Sequence, residues 1–365
     1  MRYQVEHLDA AGERLHVIQD FYRLDYVRTV NTVGAMTLTM PRGGWQYEDF
    51  RVGQLLEIWR EKGGALSLQN ETAYIIQDWR FYTNRKGEQL LDLYAKDLNM
   101  LLDTRIVAYP AGSSESRKTN YADDMIKEVV DENLVNATNS DRNIANLSIA
   151  PNLSASENLT KGFAWRNLMR VCQEIAEAAT EAGTRTYFDI VRVNRAQFQL
   201  RTYTGQRGID HGRMSGDARL VGEKYGNLAE PAFGTYHADE RNYIYAGGQG
   251  EEEDREIVEV GDALRIGAGY PYNRKEYFAD ARHADTTAGV TSSANQALAE
   301  GVPKQIMSGS LVDTPGLQFG VHYGFGDILS VEAFGFAVDC HVSSVAARVD
   351  SRSYETLSVR LRGEL

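Results

Sequence analysis

The chain has little cysteine: Cys172 and Cys340 are the only two in 365 residues. They lie far apart, one in a helical and one in a strand pattern, which argues against a disulfide framework or a thiolate metal site and for two buried thiols. An excess of positive charge is also missing. Lys and Arg number 39 against 51 Asp and Glu, for a formal net charge of −12. Broad, non-specific attraction to nucleic acid is therefore not expected, although an acidic surface that DNA slides past without sticking fits the figure. No stretch approaches the roughly 18 uninterrupted apolar residues of a membrane span. The N-terminal run Met1-Arg2-Tyr3-Gln4-Val5-Glu6-His7 carries charges where a signal peptide needs an apolar core. These features predict a soluble, unprocessed chain made in a cytoplasm.

Catalytic signatures are scarce too. The seven histidines are scattered, without a His-Glu-x-x-His or His-x-x-x-His pair, and His283 beside Asp285 lacks a third ligand. No Gly-x-Ser-x-Gly elbow occurs, and Cys172 falls on the apolar face of its helix, where packing rather than nucleophilic use is expected. Gly247-Gly248-Gln249-Gly250 lacks the Lys-Ser/Thr of a phosphate loop. It is followed by four acids, Glu251 to Asp254, which would repel a phosphate, so it reads as a hairpin tip. Carboxylate pairs such as Asp123/Asp124, Asp280/Asp285 and Glu251/Glu252 could be cast as glycosidase acids, but with 51 acids such pairs arise by chance. The expectation is a non-enzymatic protein with no metal and no cofactor. Tyrosine is abundant, 20 against 12 Phe and 4 Trp. Clusters such as Tyr243/Tyr245 and Tyr270-Pro271-Tyr272 suit contact surfaces or sugars, with β-propensity as the plainer cause.

What the chain does have is a strand grammar that occurs twice. Gly53-Gln54-Leu55-Leu56-Glu57-Ile58 reads like Gly326-Asp327-Ile328-Leu329-Ser330-Val331. Ile76-Gln77-Asp78-Trp79 then lies over Val342-Ser343-Ser344-Val345, the turn at Asn84 to Gly87 over Asp350 to Ser353, and Leu91-Asp92-Leu93 over Leu357-Ser358-Val359. Between the two copies the pattern changes. Thr119 or Asn120 can cap a helix running to Val130, and Asn133 to Asn158 reads as a long polar surface loop. Trp165 to Ala182 is a strong helix, with Leu168, Val171, Cys172, Ile175 and Ala179 on one face and Gly183 as its stop. A hairpin over 187–190 and 197–201 follows, and strands resume at 218–221. The predicted fold class is α+β, predominantly β, with two duplicated tube-like barrel or sandwich modules and an α/β insert domain. The expected division is 1–105 for the first module, 106–215 with about 262–305 for the insert, and 216–261 with 306–365 for the second module.

The run Arg28 to Pro41, containing Asn31, Gly34 and the Leu-x-x-Pro strand end, resembles the start of the tail-hub proteins of long-tailed bacteriophages. The turn at Gly53 and the Ile58-Trp59-Arg60 strand continue the likeness. So do Gly247-Gly248-Gln249-Gly250 with Arg255, Glu276 to Arg282 including Asp280, and the late Gly326-Asp327 strand start. The ordered set is similar to siphovirus tail hubs, related in architecture to baseplate hubs of contractile tails. The resemblance implies a homotrimer at the distal end of a tail tube, in which two modules per chain make a pseudo-sixfold ring from three chains. It implies as partners a tail tube or distal tail protein ring, a spike or fibre protein and the tape-measure protein, with genomic DNA passing through the lumen unbound. Its location would be the virion tail tip, and its lumen is expected to be net negative. The alternatives are a tail-associated cell-wall hydrolase and a carbohydrate-binding adhesin.

Overall fold

The structure, a computed structural model, describes residues 3–62, 65–68, 71–109, 112–113, 115–250, 254–268, 271–282, 284 and 286–364. Gly63, Gly64, the Glu251–Glu253 acids, Tyr270, His283 and Asp285 lie outside the described residues. The chain is mostly β and forms two compact units, Met1–Pro231 with Gly309–Arg362, and Ala232–Ser308 with Gly363–Leu365.

The first unit opens with β1 (Tyr3–Leu8), β2 (Arg14–Ile18), β3 (Arg23–Thr29), β4 (Ala35–Pro41), β5 (Leu55–Lys62), β6 (Ala65–Leu68), β7 (Tyr74–Thr83) and β8 (Gln89–Asp97). Alternation of buried and exposed residues along β3 and β4 puts Leu24, Tyr26, Met36, Leu38 and Met40 on one face. These side chains pack with Val5, Ile58, Tyr74, Leu91 and Leu93 into one core, to which β1, β2 and β5 also contribute. An α/β insert follows, with helices α1 (Met100–Asp103), α2 (Ala122–Val130) and α3 (Leu168–Glu181) and strands β9 (Ser116–Tyr121), β10 (Leu147–Ile149), β11 (Asn158–Phe163), β12 (Thr186–Asn194) and β13 (Gln197–Thr204). Both α2 and α3 press their apolar stripes, including Met125, Ile126, Val129, Val171, Cys172 and Ile175, against Phe188, Ile190 and Leu200 of the hairpin β12–β13.

The polar stretch after α2 is not the loose surface loop its composition suggests. Leu147–Ile149 pairs in parallel with β13, and Leu134 and Leu147 are buried. Its polar side chains are spent on backbone groups: Asn133 accepts from the Ala108 amide at 2.9 Å and donates to the Val129 carbonyl at 2.8 Å. Asp123 and Asp124 bind the same stretch. Asp123 accepts from the Ser156 hydroxyl at 2.7 Å, and Asp124 accepts from the Leu153 and Ser154 amides, each at 3.0 Å. A run rich in Asn and Ser can therefore be ordered when helix-start carboxylates satisfy its amides.

The remaining strands are β14 (Asp210–His211), β15 (Leu220–Gly222), β16 (Leu228–Tyr236), β17 (Tyr243–Gly247), β18 (Ile257–Gly261), β19 (Glu276–Asp280), β20 (Lys304–Leu311), β21 (Ile328–Ala333), β22 (Phe336–Asp350) and β23 (Glu355–Glu364), with helices α4 (Ala263–Ala268) and α5 (Thr287–Glu300). In the first unit the sheet runs β16–β20–β23–β22–β3–β4–β8–β7–β5–β1–β2. Here β16 and β20 contribute Leu228–Pro231 and Gly309–Leu311. The path is open at both ends among the described residues, so no barrel closes. In the second unit β17 pairs antiparallel with β18 and parallel with β19, and α5 covers one face through Val290, Ala294 and Ala297 against Ile244 and Ala246.

The two similar sequence stretches fold into hairpins of the same construction. Leu55↔Ile75 and Leu56↔Tyr74 in one correspond to Ile328↔His341 and Leu329↔Cys340 in the other. Each has a turn glycine at positive φ, Gly53 at 92° and Gly326 at 83°. The Gly53 amide donates to the Ile76 carbonyl at 3.1 Å and the Ile76 amide to Gln54 at 2.8 Å. The same two bonds join Gly326 to Val342 and Val342 to Asp327, at 3.1 and 2.8 Å. A bulge follows at the matching place, Gln77 in β7 and Ser343 in β22. Both hairpins end in the same turn: the Asn84 carboxamide oxygen accepts from Lys86 and Glu88, and the Asp350 carboxylate from Arg352 and Tyr354. In that turn Gly87 has φ 82°, and Ser353 holds the left-handed φ of 58° with a side chain attached. Glycine adopts this conformation without the steric cost a Cβ brings. Ser353→Gly should therefore stabilise the protein by about 0.5–1 kcal/mol. Denaturant unfolding checks this, with Gly87→Ser expected to shift the midpoint the other way.

Candidate functional site

The residues singled out in the sequence gather into three clusters. The first surrounds Asn31 and Gly34. Asn31 accepts from the Phe188 amide at 3.0 Å and donates to the Thr186 carbonyl at 3.1 Å, which ties the β3–β4 turn to β12 of the insert. Gly34 is glycine for want of room: a Cβ there would lie 2.5 Å from the Val27 carbonyl oxygen and 2.6 Å from Asp97 Oδ2. Directly beneath, Arg28 is buried in an ion pair with Asp189 of β12, which Arg207 also contacts at 2.8 Å. Both guanidiniums also lie over the ring of Phe325, 4.9 Å from its centre for Arg28 and 5.3 Å for Arg207. Burial pushes Asp189 towards protonation, but the two arginines win and hold it below the usual carboxylate range. Asp97 fares differently. Burial, helped by the nearby Asp189, raises it to about 7 against the pull of Arg28.

The second cluster centres on Arg60, while the adjacent Trp59 is paired with Leu68 of β6. Arg60 is buried, clasps Glu355 of β23 with two bonds of 2.8 and 2.6 Å, and donates to the Phe319 carbonyl at 2.8 Å. Tyr3 donates its hydroxyl to the same carboxylate. The fork geometry suits arginine and no other cation. It joins the first hairpin region to the last strand. Asp327 belongs nearby in the chain's second turn, where it accepts from the Ile209 amide at 2.7 Å and, with Gly326, fixes the start of β21. A cavity of about 570 Å³ opens beside it, lined by Arg207, His211, Asp217, Arg219, His322 and Asp327 among others.

The third cluster lies in the second unit. Arg255 donates to the Gly247 and Gly248 carbonyls at 3.1 and 3.2 Å and to Asp280 at 2.7 Å, over the Phe278 ring. Arg282 approaches Asp280 at 3.6 Å. A Cβ at Gly247 would meet the Arg255 guanidinium at 2.6 Å. The glycine loop makes room for an arginine, and its carbonyls face that cation instead of presenting amides to a phosphate. Gly250 turns the chain at φ 100°.

Opposite the β3–β4 core, the main sheet presents an uncovered face of alternate residues. It carries Arg23, Arg80, Lys96, Arg348, Arg360 and Arg362 against Asp25, Asp78, Asp92 and Asp350. Asp25 takes Arg23 and Arg348, and Asp92 takes Arg80 at 2.8 Å. Small side chains, including Val27, Ala35, Thr37, Ala346 and Ser358, line a shallow hollow of about 430 Å³ over the β22–β3 junction. Sequence patterning could not find Arg28, Asp189 or Arg207, because a lone charge within a strand carries no spacing signal. Among the described residues no group of His, Cys, Asp and Glu is placed to hold a metal ion, and no helix is long and apolar enough to cross a membrane.

This architecture is that of phage tail proteins. The chain superposes on a tail protein from Neisseria meningitidis MC58 with a TM-score of 0.58, at 14% identity over 99% of this chain and 97% of that one. It is similar to the 43 kDa tail protein of prophage MuSo2 from Shewanella oneidensis, with a TM-score of 0.57, 9% identity and coverage of 99% and 97%. A third likeness is to prophage tail protein gp18 from Listeria monocytogenes, with a TM-score of 0.54, 10% identity and coverage of 98% and 94%. The chain belongs to the Siphovirus ReqiPepy6 Gp37-like protein family, whose model matches residues 4–361. A search of curated proteins gave no match.

The buried cluster makes a pH prediction. A carboxyl whose folded pKa is raised from the ordinary ~3.9 lends stability in full below that value and loses it as pH rises through the folded pKa. For Asp97 the window is pH 4 to about 7. Between pH 5 and pH 8 the native sequence should lose on the order of 2 kcal/mol more unfolding free energy than Asp97→Asn. Urea unfolding of both proteins at the two pH values checks it; equal losses would remove Asp97 as the cause.

Proposed function

We propose that this tail protein is a structural, non-enzymatic hub, three copies of which form a ring at the distal end of the tail tube. The observation that carries the reading is the pair of matching hairpins, β5–β7–β8 and β21–β22–β23, within one sheet. Two like modules per chain let three chains present six like faces. One side of the ring then meets a sixfold tube or distal tail ring, and the other meets a threefold spike or fibre. Such a ring closes through heterologous contacts between the end of one chain and the start of the next.

The uncovered sheet face is the surface we assign to the channel through which the genome and the tape-measure protein pass. The sequence led to the expectation of a net-negative lining. This face instead carries both signs, six cations against four acids, with Arg23 and Arg348 sharing Asp25 and Arg80 paired with Asp92. Partly compensated charge and small side chains also let a polyanion slide, because a cation already paired with a carboxylate gains less from a phosphate. The carboxylate pair Asp123/Asp124, cast above as a potential hydrolase pair, is occupied in pinning the segment after α2, which favours the structural reading.

The reading predicts a particle of three times the 40.8 kDa chain mass, by light scattering of the purified protein or of its mixture with tube protein. A species that stays monomeric at high concentration, with and without tube protein, would overturn it.

A further inference from the structure

The order of strands around the two hairpins identifies how copies join. In the second hairpin region the order is β21–β22–β23–β20–β16, and in the first it is β5–β7–β8–β4–β3. By position β3 corresponds to β16, β4 to β20, and β7 to β22. Within one chain the two sets are stitched by a single ladder, in which β22 beyond its bulge pairs with β3 from Ser344↔Thr29 to Asp350↔Arg23. The corresponding stretch of β7, from Asp78 to Thr83, has no ladder partner on the side away from β8 among the described residues. At the other end of the path stands β16, the counterpart of β3.

We infer that the β7 edge of one copy receives β16 of a second copy, so that the junction between chains repeats the β22–β3 junction within a chain. This rests on the ring reading above and names its contact. Two observations support a second copy as the occupant. The first is continuity with the intrachain junction, whose two sides both recur as edges without a ladder partner among the described residues. The second is the state of the side chains. Val345 and Ala347, next to β3, are fully buried, whereas their counterparts Trp79 and Phe81 are only partly buried. A strand laid along β7 would cover them.

Amide directions set the test. Asn84 donates to the Glu88 carbonyl at 3.0 Å, so in the antiparallel ladder Tyr82, Arg80 and Asp78 also point their amides to β8. Trp79, Phe81 and Thr83 point theirs to the open edge. An exposed edge of this kind is a site for pairing with another chain. The full-length protein is examined by native mass spectrometry over a concentration series, with hydrogen exchange measured on the monomer and the assembled species. Assembly with new protection at Trp79, Phe81 and Thr83 and at 228–231 is the expected result. Thr83→Pro, which removes an outward amide and leaves the β7–β8 ladder intact, should weaken assembly at least tenfold without changing the monomer's circular dichroism. A trimer in which both edges stay unprotected, and which Thr83→Pro leaves equally tight, overturns the junction and spares the ring. A chain that never assembles, alone or with tube protein, overturns both.

Discussion

Because β22 is fifteen residues long, one strand can serve two neighbours in succession on a single edge. Its first half pairs with β21, its second half with β3, and the Ser343 bulge marks the change. The β22–β3 ladder makes one sheet out of strands more than 300 residues apart in sequence. A ladder alone would tolerate slippage, but alternate burial of Val345, Ala347 and Val349 fixes the register, since a one-residue slip would expose all three. Arg60 and Glu355 add a buried, bidentate clamp between β5 and β23. Removing one partner of such a pair leaves a buried charge uncompensated, so the clamp acts more as a lock on geometry than as a source of net stability.

The α/β insert is fastened to this sheet by polar groups. Arg28 reaches from β3 to Asp189, Asn31 binds the backbone of β12, and Asn99 accepts from Ile190 at 2.8 Å while donating to Thr32 at 3.0 Å. Each contact satisfies a backbone or charged group that burial would otherwise leave costly. These contacts fix the insert against β3 and the β3–β4 turn.

Much of this was legible in the residues. The 3.6-residue spacing of Leu168, Val171, Cys172, Ile175 and Ala179 marks α3, because a buried stripe on a helix must repeat that way. The likeness of Gly53 to Leu93 and Gly326 to Val359 marks two hairpins of one design, because turn glycines and bulges fix the hydrogen bonds around them. The order in space was not legible. Nothing in Arg23–Thr29 says that β22 will lie beside it, since strand pairing over such separations is set by the whole fold. The segment after α2 departs from its sequence pattern for a related reason: Asn133 and Ser156 look solvent-bound until Asp123 and the Val129 carbonyl are placed beside them. Asn31, Gly34 and Arg60 hold parts of the first unit together. Gly247, Gly248, Arg255 and Asp280 form a self-contained brace in the second.

The central claim is that three chains supply six like modules. A cryo-electron microscopy reconstruction of the tail's distal end tests it most directly, by counting copies of this protein in its ring. The account predicts three copies whose hairpins are spaced near 60° apart, alternating β5–β7–β8 and β21–β22–β23. Six copies in the ring, or single copies decorating the outside of the tube, would contradict it.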